Sequence, residues 1–352
     1  MTSAYAAAGV DIEAGDRAVE LMKAHVATTR RPEVLGGLGG FAGFFDASGL
    51  ASYEHPVLAT STDGVGTKVA IAQAMDVHNT IGWDLIGMLV DDLVVSGAEP
   101  LFVTDYIACG RVVPERIAAI VEGIAAACAA AGAALLGGET AEHPGLLNPD
   151  EYDIAGATTG VVEKAKILGA HLVRPDDVVL GLASSGLHSN GYSLVRQVLL
   201  TDAGWALDRQ IDELGGTLGE ELLTPTRVYA RDILALIEDC EVHAISHITG
   251  GGLANNLVRV LPEQVAVDIE RASWQPAPIF GIVQQVGSVS QPDIEATLNQ
   301  GVGMAVVLPA ASVETAMATL TARGLPSWVL GTARPAPGEG ASVTLHGTHS
   351  AP

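Results

Sequence analysis

Asp63-Gly64-Val65-Gly66-Thr67-Lys68 packs a carboxylate, two glycines, a hydroxyl and an ammonium into six residues. Glycines let backbone N–H groups approach an anion, Lys68 can neutralise phosphate, and Asp63 can hold a divalent cation. That chemistry suits a nucleoside triphosphate with its magnesium. The competing reading is a glycine-rich turn with an incidental surface Asp and Lys. Asp92 follows Leu85 and Leu89 by seven and three residues, which places it on their apolar helix face. A carboxylate there needs a partner, and a metal ion shared with Asp63 would serve; otherwise Asp92 is a surface acid beside Asp91. Gly137-Gly138-Glu139-Thr140 follows a short apolar run and offers Glu139 at a strand terminus, or else forms a plain polar turn. With Asp91 these make four carboxylates at one inferred rim, hard oxygen ligands that suit Mg²⁺.

Two later segments repeat the pattern of strand, glycine-rich loop and helix start. Ser184-Ser185-Gly186-Leu187-His188-Ser189-Asn190-Gly191 forms a ready anion pocket before a helix, and His188 adds a group able to move a proton near neutrality. An N-capping turn with a surface histidine is the alternative. His247-Ile248-Thr249-Gly250-Gly251-Gly252 has the same form, with backbone freedom to wrap a phosphate and His247 at the strand end. Its alternative is a core histidine. Gly36-Gly37-Leu38-Gly39-Gly40-Phe41-Ala42-Gly43 holds a Gly-x-Gly string without the strand and helix a dinucleotide fingerprint requires. A flap that closes over a nucleotide is the better reading.

The elements that must position these groups alternate. Strands are expected at 57–62 (buried), 101–108, 133–136 and 152–163, with helices from Lys68 to Met75, at 80–96 and at 114–131. Strand 178–183, helix 191–203, helix 225–239, strand 242–248, helix 252–261, strand 265–269, helix 276–286, strand 302–308, helix 311–323 and strand 327–331 follow. The fold class is mixed α/β in two domains, 1–168 and 169–346, with a mobile tail at 347–352.

Composition narrows the class. Hydrophobic content of 48% with 17% charged residues describes large packed cores. A net charge of −23 with no basic stripe argues against nucleic acid. The apolar stretch 117–136 is interrupted by Glu122, Gly123 and Gly132, so a helix and a strand are expected there and not a membrane span. Cys109, Cys128 and Cys240 are odd in number and widely spaced, which fits reduced thiols, and no signal segment is evident, so a cytoplasmic location is expected.

Taken in order, seven motifs resemble the phosphoribosylformylglycinamidine cyclo-ligase (aminoimidazole ribonucleotide synthetase) family. They are Ala8-Gly9-Val10-Asp11-Ile12, Thr29-Arg30-Arg31-Pro32-Glu33-Val34, Asp63–Lys68, Gly97-Ala98-Glu99-Pro100, Gly137-Gly138-Glu139-Thr140-Ala141-Glu142, Ser189-Asn190-Gly191-Tyr192-Ser193-Leu194-Val195 and Leu223-Thr224-Pro225-Thr226-Arg227. The resemblance implies two α/β domains and a homodimer whose N-terminal strands complete a shared barrel. It implies ATP-dependent ring closure of the small molecule formylglycinamidine ribonucleotide in purine biosynthesis, by phosphorylation of the amide oxygen and attack of the amidine nitrogen. Asp63, Lys68 and Asp92 with Mg²⁺, helped by Glu139, would then serve phosphoryl transfer. ATP would meet Lys23, Gly37, Gly39, Gly40, Gly64, Gly66, Thr67, Gly137, Gly138 and Thr140. Ser184, Ser185, Gly186, Ser189, Asn190, Thr249, Gly250, Gly251 and Gly252 would hold substrate phosphate, and His188 and His247 would move protons or stabilise the amide oxygen. Asp91 stands where the family commonly has Asn, and Leu187 where it has Pro. The chain lacks the early reactive Cys of selenophosphate synthetases and the terminal Cys of hydrogenase-maturation relatives. Thiamine-monophosphate kinase, which leaves phosphate on its product, is the alternative class.

Overall fold

The computed structural model describes residues 11–37 and 39–349; the Ala8–Val10 part of the first motif and residues 350–352 of the expected tail lie outside them. The chain divides into two compact units. The first runs to Leu93, resumes at Ala98–Ala165 and includes Val228–Ala230; the second takes Val94–Gly97, Lys166–Arg227 and the residues from Arg231 onward.

The first unit opens with α1 (Ile12–Ala27), a helix not anticipated from sequence, whose N-cap Asp11 accepts from the Ala14 N–H. The two-residue strands β1 (Val34–Leu35) and β2 (Phe44–Phe45) pair antiparallel and close the glycine-rich segment into a loop. Arg31 fixes the base of that loop. Its guanidinium donates to the Pro100 and Gly132 carbonyls at 3.1 Å each, pairs with Glu33 and Glu99, and lies over the Phe45 ring.

β3 (Pro56–Gly64), β4 (Glu99–Cys109), β5 (Ala134–Glu142) and β6 (Tyr152–Glu163) form a four-stranded sheet in the order β3-β6-β4-β5. β3 is an edge strand that alternates exposed and half-buried residues, not the buried strand expected, and Leu58 faces solvent. β5 runs on through Gly137–Thr140, where a turn is expected, because it stays paired in parallel with β4 as far as Glu142.

Helices α2 (Val69–Met75), α3 (Ile81–Val94) and α4 (Pro114–Ala131) complete this unit. α4 starts at Pro114 and stops at left-handed Gly132, as its sequence dictates. α3 and α4 meet backbone to backbone: a Cβ on Gly82 would stand 2.2 Å from Ile124 N, and one on Gly123 would stand 1.9 Å from Asn79 O.

The second unit is built on a six-stranded sheet. Its strands are β7 (Val178–Ala183), β10 (Ala244–His247), β11 (Val265–Glu270), β12 (Val302–Leu308), β13 (Ser327–Pro335) and β14 (Ser342–His346), in the order β10-β12-β7-β13-β11-β14. β12 is buried along its whole length. A small hairpin, β8 (Gln210–Ile211) with β9 (Gly216–Thr217), lies between α5 (Tyr192–Val195) and α6 (Leu218–Leu222). The helix expected over 191–203 is only one α-turn, α5, followed by a wider π-type stretch over 196–202. α7 (Ala230–Asp239), α8 (Gly252–Leu257), α9 (Pro278–Gly287), α10 (Gln291–Thr297) and α11 (Val313–Ala322) cover the sheet's connections.

The tail read as mobile from 347 is engaged as far as His349. Arg271 donates to the Leu345 and Gly347 carbonyls, and the His349 ring stands edge-on to Trp274 at 4.6 Å. No described helix is long and apolar enough to cross a membrane.

The close approach of α3 and α4 gives a direct test. Gly123→Ala should cost about 2 kcal/mol or more, because backbone must move to admit the methyl group. Urea unfolding would read this as a lower midpoint at unchanged slope.

Candidate functional site

In the first unit, α1, the glycine-rich loop and β5 enclose a cavity of about 430 Å³. Gly39, Gly40, Gly137, Gly138, Glu139 and Thr140 all line it, against an apolar wall that includes Ala18, Met22 and Leu135. A second hollow of about 220 Å³ has Lys23, Arg30 and Gly37 in its wall and shares Val26 and Leu135 with the first. Eight of the expected nucleotide contacts are thus gathered around two adjoining spaces. Lys23 forms an exposed ion pair with Glu20, which supplies little stability. Phe41, at the tip of the loop, is fully exposed.

The Asp63–Lys68 segment lines neither cavity. Asp63 stands near the end of β3, where its Oδ1 accepts from the Gly64 N–H at 2.7 Å. Gly66 takes φ +69°, a conformation that suits glycine. Lys68 corrects the expectation of an ammonium presented to phosphate. It is wholly buried, with Nζ 2.8 Å from Oδ1 of the equally buried Asp84. Asp84 went unnoticed in the sequence, although it opens the first turn of α3.

α3 also separates the neighbouring aspartates by burial. Asp91, seven residues after Asp84 and on the same face, is buried and its Oδ1 accepts from the Tyr229 N–H at 2.9 Å. Asp92 is exposed, contrary to its expected apolar face. That helix is buried almost all round, so the spacing to Leu85 and Leu89 does not discriminate. Among the described residues no group of three His, Cys, Asp or Glu side chains is placed to hold a metal, so Asp63, Asp92 and Glu139 are not brought together as one cluster.

Asp105, on β4, is the group that sequence reading missed. It lines the larger cavity, half-buried, and a Cβ on Gly138 would stand 1.6 Å from its Oδ1. Burial pushes its carboxyl up to about 7, opposed only by a hydrogen bond from its own backbone N–H. The available signal was a lone acid inside the apolar run from Leu101 to Ala108.

In the second unit, the Ser184–Gly186 loop lines a cavity of about 510 Å³ together with Trp274 and Trp328. Buried Asn299 braces this loop: its Nδ2 donates to Gly186 O at 2.9 Å, and its Oδ1 accepts from the Gly301 N–H and the Ser184 hydroxyl. His188 is buried at φ +59°, and its Nε2 accepts from the Ser185 N–H at 3.1 Å. That contact ties the ring to the geometry of its own loop. His247 is likewise buried, at the end of β10.

Gly250 approaches the Asn190 side chain, and Asn256 Nδ2 donates to the carbonyls of Thr249, Gly250 and Gly252. A Cβ on Gly252 would meet Glu295 O at 1.7 Å, so this glycine serves packing. Gly251 belongs to a different cavity from Ser184–Gly186, and the expected phosphate contacts are therefore not all in one pocket. Ser189 and Asn190 are both half-buried in the turn before α5.

Solved structures define the fold class first. The thiamine-monophosphate kinase of Stenotrophomonas maltophilia superposes with a TM-score of 0.67 at 19% identity, covering 93% of this chain and 95% of its own. A hydrogenase maturation protein HypE in complex with ATP gives 0.62 at 19%, covering 94% and 91%. At such identity the likeness is one of fold. Sequence comparison defines the family: residues 46–162 match the model for AIR synthase related protein, N-terminal domain, and residues 174–344 that for the C-terminal domain. The phosphoribosylformylglycinamidine cyclo-ligase of Shouchella clausii is 51% identical over 96% of this chain and 98% of its own, and that of Geobacillus sp. is 48% identical over 97% and 98%. The chain belongs to the phosphoribosylformylglycinamidine cyclo-ligase family.

Two outcomes test the site's electrostatics. Lys68→Met strands the Asp84 carboxylate and should cost about 3–5 kcal/mol, measured by urea unfolding. The raised Asp105 carboxyl binds its proton more tightly in the folded than in the unfolded chain. The unliganded protein should therefore lose stability as pH rises from about 4 through 7. Asp105→Asn should remove that part of the decline in melting temperature.

Proposed function

We propose that this chain is a ligase that closes the imidazole ring of aminoimidazole ribonucleotide from formylglycinamidine ribonucleotide, using ATP, in purine biosynthesis. The near-full-length identity to cyclo-ligases carries the reading. The fold shared with an ATP-bound relative and the glycine-lined cavity support the nucleotide part of it.

In this mechanism the γ-phosphoryl group passes to the formyl amide oxygen. The amidine nitrogen then attacks the activated carbon, and phosphate leaves with the C–O bond as the ring closes. Little covalent chemistry falls to the protein, so positioning and charge placement dominate. The nucleotide lies against Gly39, Gly40 and Gly137–Thr140, with Lys23 near its charge. Asp63 and exposed Asp92 face the reacting phosphates. Lys68 acts through Asp84 by fixing the loop that carries Asp63. The braced Ser184–Gly186 loop and Asn190 receive the substrate phosphate. Mg²⁺ would be held by Asp63 and Asp92 and would neutralise charge on the transferring phosphoryl group. The solvent-facing Leu58 and Tyr106 of the four-stranded sheet fit a homodimer that covers this face. A cytoplasmic location accords with the three free thiols.

The purified chain should convert the amidine substrate to an aminoimidazole, detected by its colour reaction, with one phosphate released per turnover. Asp63→Asn should lower kcat by about 100-fold or more with an unchanged melting temperature. Phosphorylation of thiamine monophosphate without ring formation would favour the kinase alternative instead.

A further inference from the structure

We infer that Asp105 is the residue that receives and orients the substrate's amidine. The inference rests on the cyclo-ligase reading and adds a contact that the motif segments do not contain. Asp105 lines the 430 Å³ cavity from β4, and the β4–β5 register sets it opposite Gly138 and one position from Glu139. Gly138 leaves the space its carboxyl occupies: any side chain there would overlap Oδ1.

Among the described residues no side chain pairs with this carboxyl; only its own N–H meets it. Its neighbours across the cavity include Val112, Val121 and Leu135, and the thiol of Cys128, which burial raises, lies close enough to feel its charge. A carboxyl held this way costs stability in the free protein unless a ligand brings the missing partner. ATP does not bring a charge-matched one: its triphosphate offers only acceptors and negative charge, and the adenine amino group beside N1 is a neutral donor.

An amidine does. It presents two nitrogens in one plane at the spacing of the two carboxyl oxygens, the same fork geometry that joins guanidinium to carboxylate. Carboxyl and amidine share one proton across two hydrogen bonds whichever of them carries it. The attacking nitrogen is thus held in place without having to be cationic. Placed beside Glu139, Asp105 would set that nitrogen next to the phosphorylated amide and so serve the ring-closing step.

The test compares wild type with Asp105→Asn, which keeps the shape and removes one acceptor. Steady-state kinetics should show KM for the amidine substrate raised by about 30-fold or more, with KM for ATP within about twofold. Calorimetry should show wild type binding the amidine more tightly than the corresponding carboxamide ribonucleotide, and the variant losing most of that preference. Its melting temperature at pH 8 should be no lower than that of wild type. An unchanged substrate KM would overturn the inference, and so would a loss confined to ATP or Mg²⁺, which would place Asp105 at the nucleotide or its metal. Should the variant not fold, the wild-type preference of amidine over carboxamide decides alone, and its absence refutes the contact. Failure of wild type to form any aminoimidazole would instead defeat the cyclo-ligase reading itself.

Discussion

A lysine ammonium wholly withdrawn from water sits against an equally buried aspartate, and this pair governs the first unit. Taking either charge out of solvent costs several kcal/mol, so Lys68 and Asp84 hold their positions only together. Their pairing fixes where the Asp63–Lys68 loop ends and how α3 is rotated. With Asp84 turned inward, helical geometry also turns Asp91 inward, where the Tyr229 N–H satisfies it, and leaves Asp92 outward. One ion pair therefore goes with two acids of α3 turned inward and one turned outward.

The second constraint is missing volume. Gly82 and Gly123 let two helices touch through their backbones, Gly138 makes room for a carboxyl, and Gly252 admits a carbonyl of the adjoining helix. Each of these glycines is a packing device first. The glycine-rich loop of the first unit differs: around Gly36 and Gly39 nothing crowds a Cβ, while Arg30 holds the Gly36 carbonyl, Gly43 packs on Leu136 and Arg31 ties the base.

The sequence made legible what is local. α4 reads from Pro114 to Gly132, and β6, β7 and β12 fall within the residues expected, because caps and apolar runs are encoded nearby. Gly137–Thr140 was misread because glycines signal a turn, whereas pairing with β4 holds them in a strand. α1 escaped notice since its apolar face is narrow and only Ala18 is buried. At the site, the glycines and Glu139 were recognisable by type, but Asp84, Asp105 and Asn299 were not. Their importance lies in what they face across the fold, Lys68, Gly138 and Gly186, and no spacing along the chain records that. His188 was recognisable by type, whereas its contact with the Ser185 amide was not.

The strand order of the second unit bears on how the protein is made. β13 lies between β7 and β11, and β12 lies between β7 and β10, yet both leave the ribosome long after their neighbours β7 and β10. Until they arrive, β7 has no partner on either side, and the apolar residues of β7 and β11 stay uncovered. The second unit can close only after nearly all of it has been synthesised. A nascent chain stalled near residue 300 would carry β7, β10 and β11 with no two of them neighbours in the final sheet, the stage at which a chaperone has most surface to grasp.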